Sequence, residues 1–201
     1  MATISIVKIC NMALSHIGNT SPIESIDEDS AEAKQCKTWY DYSRIMTLEA
    51  FNWSFARKRI TLSAHSEDPP DDWVYRYNYP DASDSLVVRA LANPAGPNDD
   101  AVPYEIEMSG SGEQKTILTD LEDAVAICTF DQEATPLFSS HFVMTLSYAV
   151  AANIAFALTG KKDIKADMLN VWQGMIAQAK AVDANETSER PPRDASWIRV
   201  R

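Results

Sequence analysis

Histidine and cysteine are the side chains of this sequence that could hold a metal ion or act as a nucleophile. None of them has the CxxC, HxxxH or CxxH spacing of a local zinc motif. The cysteines lie in apolar stretches, where a small buried thiol is the usual role. We therefore predict no metal site, while a Cys–His nucleophile assembled only by the fold stays open. The residues concerned are His16, His65, His141, Cys10, Cys36 and Cys128.

Two acidic runs and a glycine pair are the other candidates for chemistry. The carboxylates of IDEDSAE and EDPPDD could do acid–base work, but acidic runs are also typical of helix starts and exposed proline loops. The GSG of MSGSGEQ lacks the Lys-Ser/Thr of a P-loop and the spacing of a dinucleotide turn. We interpret these runs as solvated surface and a hairpin tip. No catalytic or cofactor-binding residue is predicted, and the chain is not expected to be an enzyme.

The C-terminal segment, residues 186–201, is the strongest candidate for a binding element. It reads ETSERPPRDASWIRVR, with four arginines against three acidic residues and two prolines that disfavour a helix. Trp and Arg together commonly anchor interfaces, so we predict an extended docking segment, with disorder of a chain terminus as the alternative. The predicted docking residues are Arg193, Trp197, Ile198, Arg199 and Arg201.

Composition narrows the class of protein. The 201 residues carry 18 Lys plus Arg against 29 Asp plus Glu, a net charge of -11. Because phosphate binding relies on clustered Lys and Arg, a nucleic-acid reader is disfavoured. Hydrophobic residues make up 45%, enough for a packed core. Three widely spaced cysteines and an N-terminus without a secretory pattern indicate reduced thiols and synthesis in a cytoplasm.

Four helices are predicted to position these residues. Their apolar residues recur at spacings of three and four, Gly18 suits the end of the first helix, and Asp29 with Glu32 resembles a capping box before the second. Between the second and third helices, aromatic and β-branched runs alternate with proline-rich loops, which predicts strands. The predicted helices span residues 4–17, 30–51, 137–159 and 163–184.

These elements predict a mainly α fold. We expect a four-helix bundle from residues 1–52 and 131–185, a β-rich insertion at 53–130 and the extended C-terminal tail. Trp172 is predicted to be largely buried in the bundle. The stretch from Leu137 to Gly160 has no charged residue and is long enough to cross a bilayer, but its polar residues and alanines favour a central bundle helix.

Several linked motifs point to a family. An ALxxIG helix end precedes an acidic-capped helix with A-x-x-C-x-x-x-Y, and a W-x-F-A exit then leads into a basic strand. The later WVYRYNYPDASDSLVVRAL adds a tyrosine-proline turn and a short strand. Over its first ninety or so residues the chain resembles the tail tubular protein A family of short-tailed bacteriophages. The matching residues are Ala13, Leu14, Ile17, Gly18, Asp29, Ala33, Cys36, Tyr40, Trp53, Phe55 and Ala56.

The resemblance implies a structural role in the virion tail, at the head-to-tail junction. Members form a ring, expected to be dodecameric, that joins the capsid portal to the tail nozzle and continues the channel for genome ejection. The implied partners are further copies, portal, nozzle and, as a further candidate, tail fibres. DNA would pass without sequence-specific binding, with no membrane and no cofactor.

The resemblance also implies a target for residues 186–201: they are predicted to dock on the portal and to be disordered before assembly. Two alternatives to the adaptor remain open. One is a small soluble enzyme with a cleft between bundle and sheet. The other is a helical membrane protein that spans the bilayer at residues 137–160.

Overall fold

The computed structural model describes residues 4–81, 83, 85–94 and 101–186. These residues form two compact units, one of residues 4–56 with 131–186 and one of residues 57–130. The first unit holds the helices α1 (Ile6–His16), α2 (Ala31–Ala50), α3 (Ser140–Thr159) and α4 (Lys162–Glu186). The second holds the strands β1 (Arg57–Thr61), β2 (Tyr75–Asn78), β3 (Val87–Leu91), β4 (Glu105–Met108), β5 (Lys115–Thr119) and β6 (Val125–Thr129).

The predicted mainly α class is wrong, because the fold is mixed α and β. About 45% is helix and 17% is strand, and the strands form two three-stranded antiparallel sheets. The strands have their own apolar core instead of adding to a helical bundle. The reason is that three paired strands satisfy their backbone hydrogen bonds and bury an apolar face together. The buried residues of this core are Leu62, Tyr77, Val88, Leu91, Ile117, Ala124, Ala126 and Cys128.

Helix α3 is the centre of the helical unit. It packs against α1, α2 and α4, whereas α1 and α2 contact each other much less. Its alanines allow neighbouring helices to approach closely from several sides. The predicted four-helix bundle therefore has a different arrangement, in which the other helices surround one central helix. The buried residues of α3 are Phe142, Val143, Thr145, Leu146, Ser147, Ala149, Val150, Ala151, Ala152, Ile154 and Ala155.

Helix α3 is also the one described helix whose length and composition would suffice to cross a bilayer. Of its most apolar stretch, 61% is buried inside the fold. The central helix of a packed protein has the same composition, because it is covered on all sides. Burial by the neighbouring helices thus accounts for the uncharged stretch that the sequence contains.

Serine side chains determine where three of the helices begin. The Oγ atoms of Ser5, Ser30 and Ser139 accept hydrogen bonds from backbone N–H groups three residues later, at 3.1–3.2 Å. Ser30, and not the predicted Asp29, therefore caps α2. Asp29 instead forms an exposed ion pair with Lys34. All four helices lie within three residues of their predicted bounds.

Helix α4 is covered on only one side. Ile176 and Ala179 are buried, while Val171 is 39% exposed. Trp172, which was predicted to be largely buried, is partly buried and less enclosed than Ile176 and Ala179. Its indole N–H is shielded from solvent without a hydrogen-bond acceptor among the described residues. A helix that packs mainly on α3 keeps Val171 of its apolar stripe exposed.

The two sheets have the strand orders β1-β6-β3 and β2-β5-β4. In the second sheet, Ile117 of β5 stands opposite Tyr77 on one side and Ile106 on the other. Residues 63–65 cover the outer edge of β2, because Ser63 and His65 exchange backbone hydrogen bonds of 2.9 Å with that strand. Strand β4 forms the opposite edge, and all four of its residues are exposed.

Replacing Phe142 by alanine tests the central position of α3. Its ring lies 4.7–5.0 Å from the rings of Trp53, Phe55 and Phe138, and it is fully buried. We expect Phe142→Ala to lower the free energy of unfolding by about 3–5 kcal/mol, measured by urea denaturation. Phe156→Ala is the matched control, because Phe156 lies on the same helix and is 49% exposed. Equal losses in both variants would contradict this packing.

Candidate interaction surfaces

The described part of the chain ends at residue 186. The predicted docking residues Arg193, Trp197, Ile198, Arg199 and Arg201 lie outside it. The interaction surfaces that the structure describes therefore belong to the helical unit and the β unit. Sequence patterns did not single out any of them in advance.

The residues considered for metal binding or nucleophilic chemistry are dispersed or buried. Across the described ranges, no three His, Cys, Asp or Glu side chains are placed to share a metal ion. Cys10 and Cys36 are fully buried and contact each other between α1 and α2. The hydrogen bond with Cys36 and burial both raise the pKa of Cys10. A neutral buried thiol is a poor nucleophile, so Cys10 acts as packing.

His16 joins the end of α1 to α3. Its ring stacks on Tyr148 with centroids 3.9 Å apart, and Nε2 lies 3.0 Å from the Oγ of Ser147. Ser147 donates its own proton to the carbonyl of Met144 at 2.7 Å, so Nε2 of His16 must be the donor in the first bond. Burial lowers the pKa of His16, which favours the neutral ring. The residue thus has a structural role in the neutral state.

Arg44 is a buried charge that sequence analysis missed. Its side chain is 4% exposed and forms an ion pair with Asp131, while its Nη1 donates to the carbonyl of Gln132 at 3.4 Å. Asp41 and Glu133 lie 3.5 and 3.6 Å from its other nitrogen. These contacts connect α2 to the segment before α3. The available signal was its position four residues after Tyr40, on the apolar stripe of α2.

A groove of about 790 Å³ lies in the β unit, near the ends of β1 and β2 and the start of β5. Its charged lining residues are Asp81 and Lys115, and the Lys115 ammonium lies 5.5 Å from the centre of the Tyr79 ring. The hydroxyl of Ser85 is buried there without a hydrogen-bond partner among the described residues. This mixed polar lining suits contacts with a polar surface.

Large apolar side chains are exposed on both units. In the helical unit, Phe156 and Val171 are exposed, and a groove of about 380 Å³ runs beside Phe156 and Leu169. In the β unit, Ile106 and Met108 of β4 are 43% and 51% exposed. Clustered exposed apolar side chains mark sites of protein contact. The edge strand β4 and the exposed apolar side chains of α3 and α4 are therefore candidate interaction sites.

In the edge strand β4, the backbone N–H and C=O groups of alternate residues face away from β5. The N–H of Ser109 donates to the carbonyl of Gln114 at 2.7 Å, beside the paired strands β4 and β5. Along an antiparallel pair of strands, every second residue forms backbone hydrogen bonds with the partner strand, so the backbone groups of Glu107 and Glu105 also face β5. Ile106 and Met108 therefore direct their N–H and C=O groups outward. Their side chains share one face of the strand, and the two glutamates share the other.

Glu67 holds the hairpin that carries β4. Its carboxylate accepts hydrogen bonds from the N–H of Gly110 at 2.8 Å and from Arg76 at 2.9 Å. The bond from Gly110 lowers the pKa of Glu67, with smaller contributions from nearby positive charge. At the hairpin tip, Gly112 has a φ of +74°, a conformation that favours glycine. These contacts position β4 at the edge of its sheet.

Removing Arg44 should destabilise the helical unit. Arg44→Ala leaves Asp131 without its buried partner, and we expect the free energy of unfolding to fall by about 2–4 kcal/mol. Lys34→Ala, which removes an exposed ion pair from the same helix, should cost less than about 1 kcal/mol. Urea denaturation of both variants provides the measurement. Similar small losses would show that the Arg44 contacts contribute little.

Acid should destabilise the fold through His16. Because the pKa of His16 is lower in the folded than in the unfolded chain, the unfolded chain binds a proton on this ring more tightly. The free energy of unfolding is therefore not reduced by His16 above about pH 6.5 and decreases as the pH falls below that value. His16→Gln, which keeps a donor for Ser147 but cannot titrate, should reduce the loss between about pH 7.5 and 5.5. His141→Gln, at the exposed start of α3, is the control. An unchanged pH dependence in His16→Gln would contradict this role.

No protein-family model matches the sequence, and no curated protein matches it. The resemblance of the N-terminal motifs to the tail tubular protein A family therefore stays a prediction. The role of the chain is inferred from its own residues and surfaces.

Proposed function

We propose that this protein is the subunit of a ring-forming adaptor in a virion tail, which joins the capsid portal to the tail nozzle and continues the DNA channel. The observation that supports assembly is the exposure of large apolar side chains on both units. Ile106 and Met108 are exposed on β4 of the β unit, and Phe156 on α3 and Val171 on α4 are exposed in the helical unit. Because burying apolar area is favourable, such surfaces suit contacts with further chains.

The motifs behind the family resemblance lie mostly in the core of the helical unit. Gly18, which follows α1, has a φ of +76° that favours glycine, and the indole N–H of Trp53 donates to the carbonyl of Thr47 at 2.8 Å. The motifs thus describe how α1, α2 and the following turn pack. They support the proposal that this helical unit is like that of the tail tubular protein A family, and the adaptor role is inferred from that likeness. The buried motif residues are Ala13, Leu14, Ile17, Ala33, Cys36, Tyr40, Trp53 and Ala56.

A ring follows if one surface of each subunit binds a different surface of the next. Such a head-to-tail contact repeats around an axis and closes when the rotation is a whole fraction of a turn. Apolar surfaces on both units supply two different faces for this contact. We propose a dodecamer, with portal and nozzle at its two ends and tail fibres as a further candidate partner.

The charge of the chain suits a channel for DNA. The net charge is -11, so a ring of many copies is strongly acidic. Acidic groups repel phosphates over a distance set by the Debye length, about 8 Å at physiological salt. A wall with this charge would let the duplex slide without binding it. The proposed channel therefore needs no sequence-specific contact.

Mass measurement and electron microscopy test the ring. We expect the purified protein, alone or with the portal protein of the same virus, to give one discrete multiple of 22.3 kDa and ring-shaped particles. A chain that stays monomeric at every concentration, with and without portal, would contradict the proposal. Open filaments of indefinite length would contradict the closed ring.

A charge on the exposed face of α4 should weaken this assembly. Val171→Glu places a carboxylate on the apolar surface, and we expect the concentration for half-assembly to rise about tenfold, or roughly 1.4 kcal/mol. Gln173→Glu is the matched control, because it adds the same charge at a neighbouring exposed position outside the apolar stripe. Equal effects of both variants would remove the α4 surface from the interface.

A further inference from the structure

We propose that residues 198–201 of one copy of the chain add as an antiparallel strand to β4 of a neighbouring copy. The inference rests on the proposed assembly of copies and names one of its contacts. The acceptor is the outer edge of β4, and the donor is the Ile-Arg-Val-Arg end of the C-terminal segment. Backbone hydrogen bonds provide affinity in such strand addition, and alternate side chains provide specificity.

The acceptor edge is open in the described chain. Ile106 and Met108 direct their backbone groups away from β5, and among the described residues no strand pairs with them. The other edge of this sheet differs, because residues 63–65 cover β2. An exposed edge that also carries apolar side chains is a template for a further strand, and proteins normally cover it. The edge of β4 is therefore suited to a specific occupant.

The side chains of donor and acceptor alternate in complementary ways. Strand β4 alternates acidic and apolar residues, whereas residues 198–201 alternate apolar and basic residues. In an antiparallel register each apolar residue stands opposite an apolar residue, and each glutamate stands opposite an arginine. Cross-strand pairs of both kinds stabilise sheets. The four pairs are Glu105–Arg201, Ile106–Val200, Glu107–Arg199 and Met108–Ile198.

The pairing of side chains also favours an antiparallel over a parallel direction for residues 198–201. A parallel strand with Ile106 opposite Ile198 places Trp197 opposite Glu105 and keeps a single Glu–Arg pair. A parallel strand with Ile106 opposite Val200 leaves Met108 without an opposite residue among the four proposed donor residues, 198–201. Only the antiparallel register places both glutamates of β4 opposite arginines and both of its apolar residues opposite apolar residues within 198–201. The proposal is therefore specific to this register.

The length of the C-terminal segment allows it to reach another copy. Eleven residues separate the end of α4 at Glu186 from residue 198, and an extended chain of that length spans up to about 36–40 Å. The donor and the acceptor are different parts of the chain, so the contact between copies is head-to-tail. Contacts of this kind repeat from copy to copy and can close a ring.

A disulfide cross-link tests the register in the full-length chain. Ile106 and Val200 would form a hydrogen-bonded pair with Cα atoms about 5.5 Å apart, within the disulfide range of about 4.4–6.8 Å. We expect Ile106→Cys with Val200→Cys to give covalent multimers when oxidised glutathione is added. The wild type controls for the three buried cysteines. Val74→Cys with Val200→Cys controls for random collision, because Val74 is 59% exposed and lies outside β4.

Each cross-linking result decides the proposal. Multimers from the β4 pair, in clear excess over both controls, support strand addition between copies. A link formed within one chain would mean that the segment binds its own β4 and would overturn the proposal. Absence of any link in assembled protein would overturn it as well. If rings form but the cross-link does not, the strand contact is refuted and the proposed ring is not. If cross-linked multimers form but never close into rings, the proposed ring is refuted and the strand contact is not.

Charge reversal provides a second test that does not depend on cysteine chemistry. Arg199→Glu with Arg201→Glu, or Glu105→Arg with Glu107→Arg, places like charges opposite each other, and we expect association to weaken by about tenfold or more. The four changes together restore opposite charges and should return association to within about threefold of wild type. Light scattering at low salt measures the association of each variant as a function of protein concentration. Failure of the combined variant to recover, or a loss confined to portal binding, would overturn the contact.

Discussion

An uncharged helix whose apolar surface must largely be covered is the constraint on which the helical unit depends. Helix α3 exposes no charged residue, and α1, α2 and α4 remove most of its surface from water. The last of these packs mainly on α3 and keeps Val171 at the surface. Covering α3 therefore stabilises the unit and at the same time leaves Val171 of α4 exposed.

Two polar contacts add specificity to this apolar packing. Arg44 with Asp131 and His16 with Ser147 each join segments that are far apart in sequence. A buried charge or imidazole tolerates few alternative arrangements, because it costs free energy whenever its partner is lost. Hydrophobic packing alone would allow helices to slide, and these contacts select one arrangement. Their positions explain why stability should respond to acid and to loss of one guanidinium.

The β unit shows how one sheet treats its two edges differently. Residues 63–65 close the edge at β2, and β4 keeps outward backbone groups beside Ile106 and Met108. Glu67 secures the hairpin, so the open edge is held in place by hydrogen bonds. A rigid edge with alternating acidic and apolar side chains suits a basic, apolar strand. Together with the exposed apolar side chains of α3 and α4, it is the basis of the proposed contacts with other chains.

The amino-acid sequence by itself determined the positions of the four helices, since periodicity and capping act within a few residues. It also located the strand-rich region, but it led to the wrong fold class, because pairing of β1 with β6 or β2 with β5 joins residues 38 or more positions apart. Burial of Arg44, exposure of Val171 and the open edge of β4 likewise follow from packing between distant segments. Only the tertiary structure decides them, because the same local pattern suits a core, a surface or an interface until its neighbours are known.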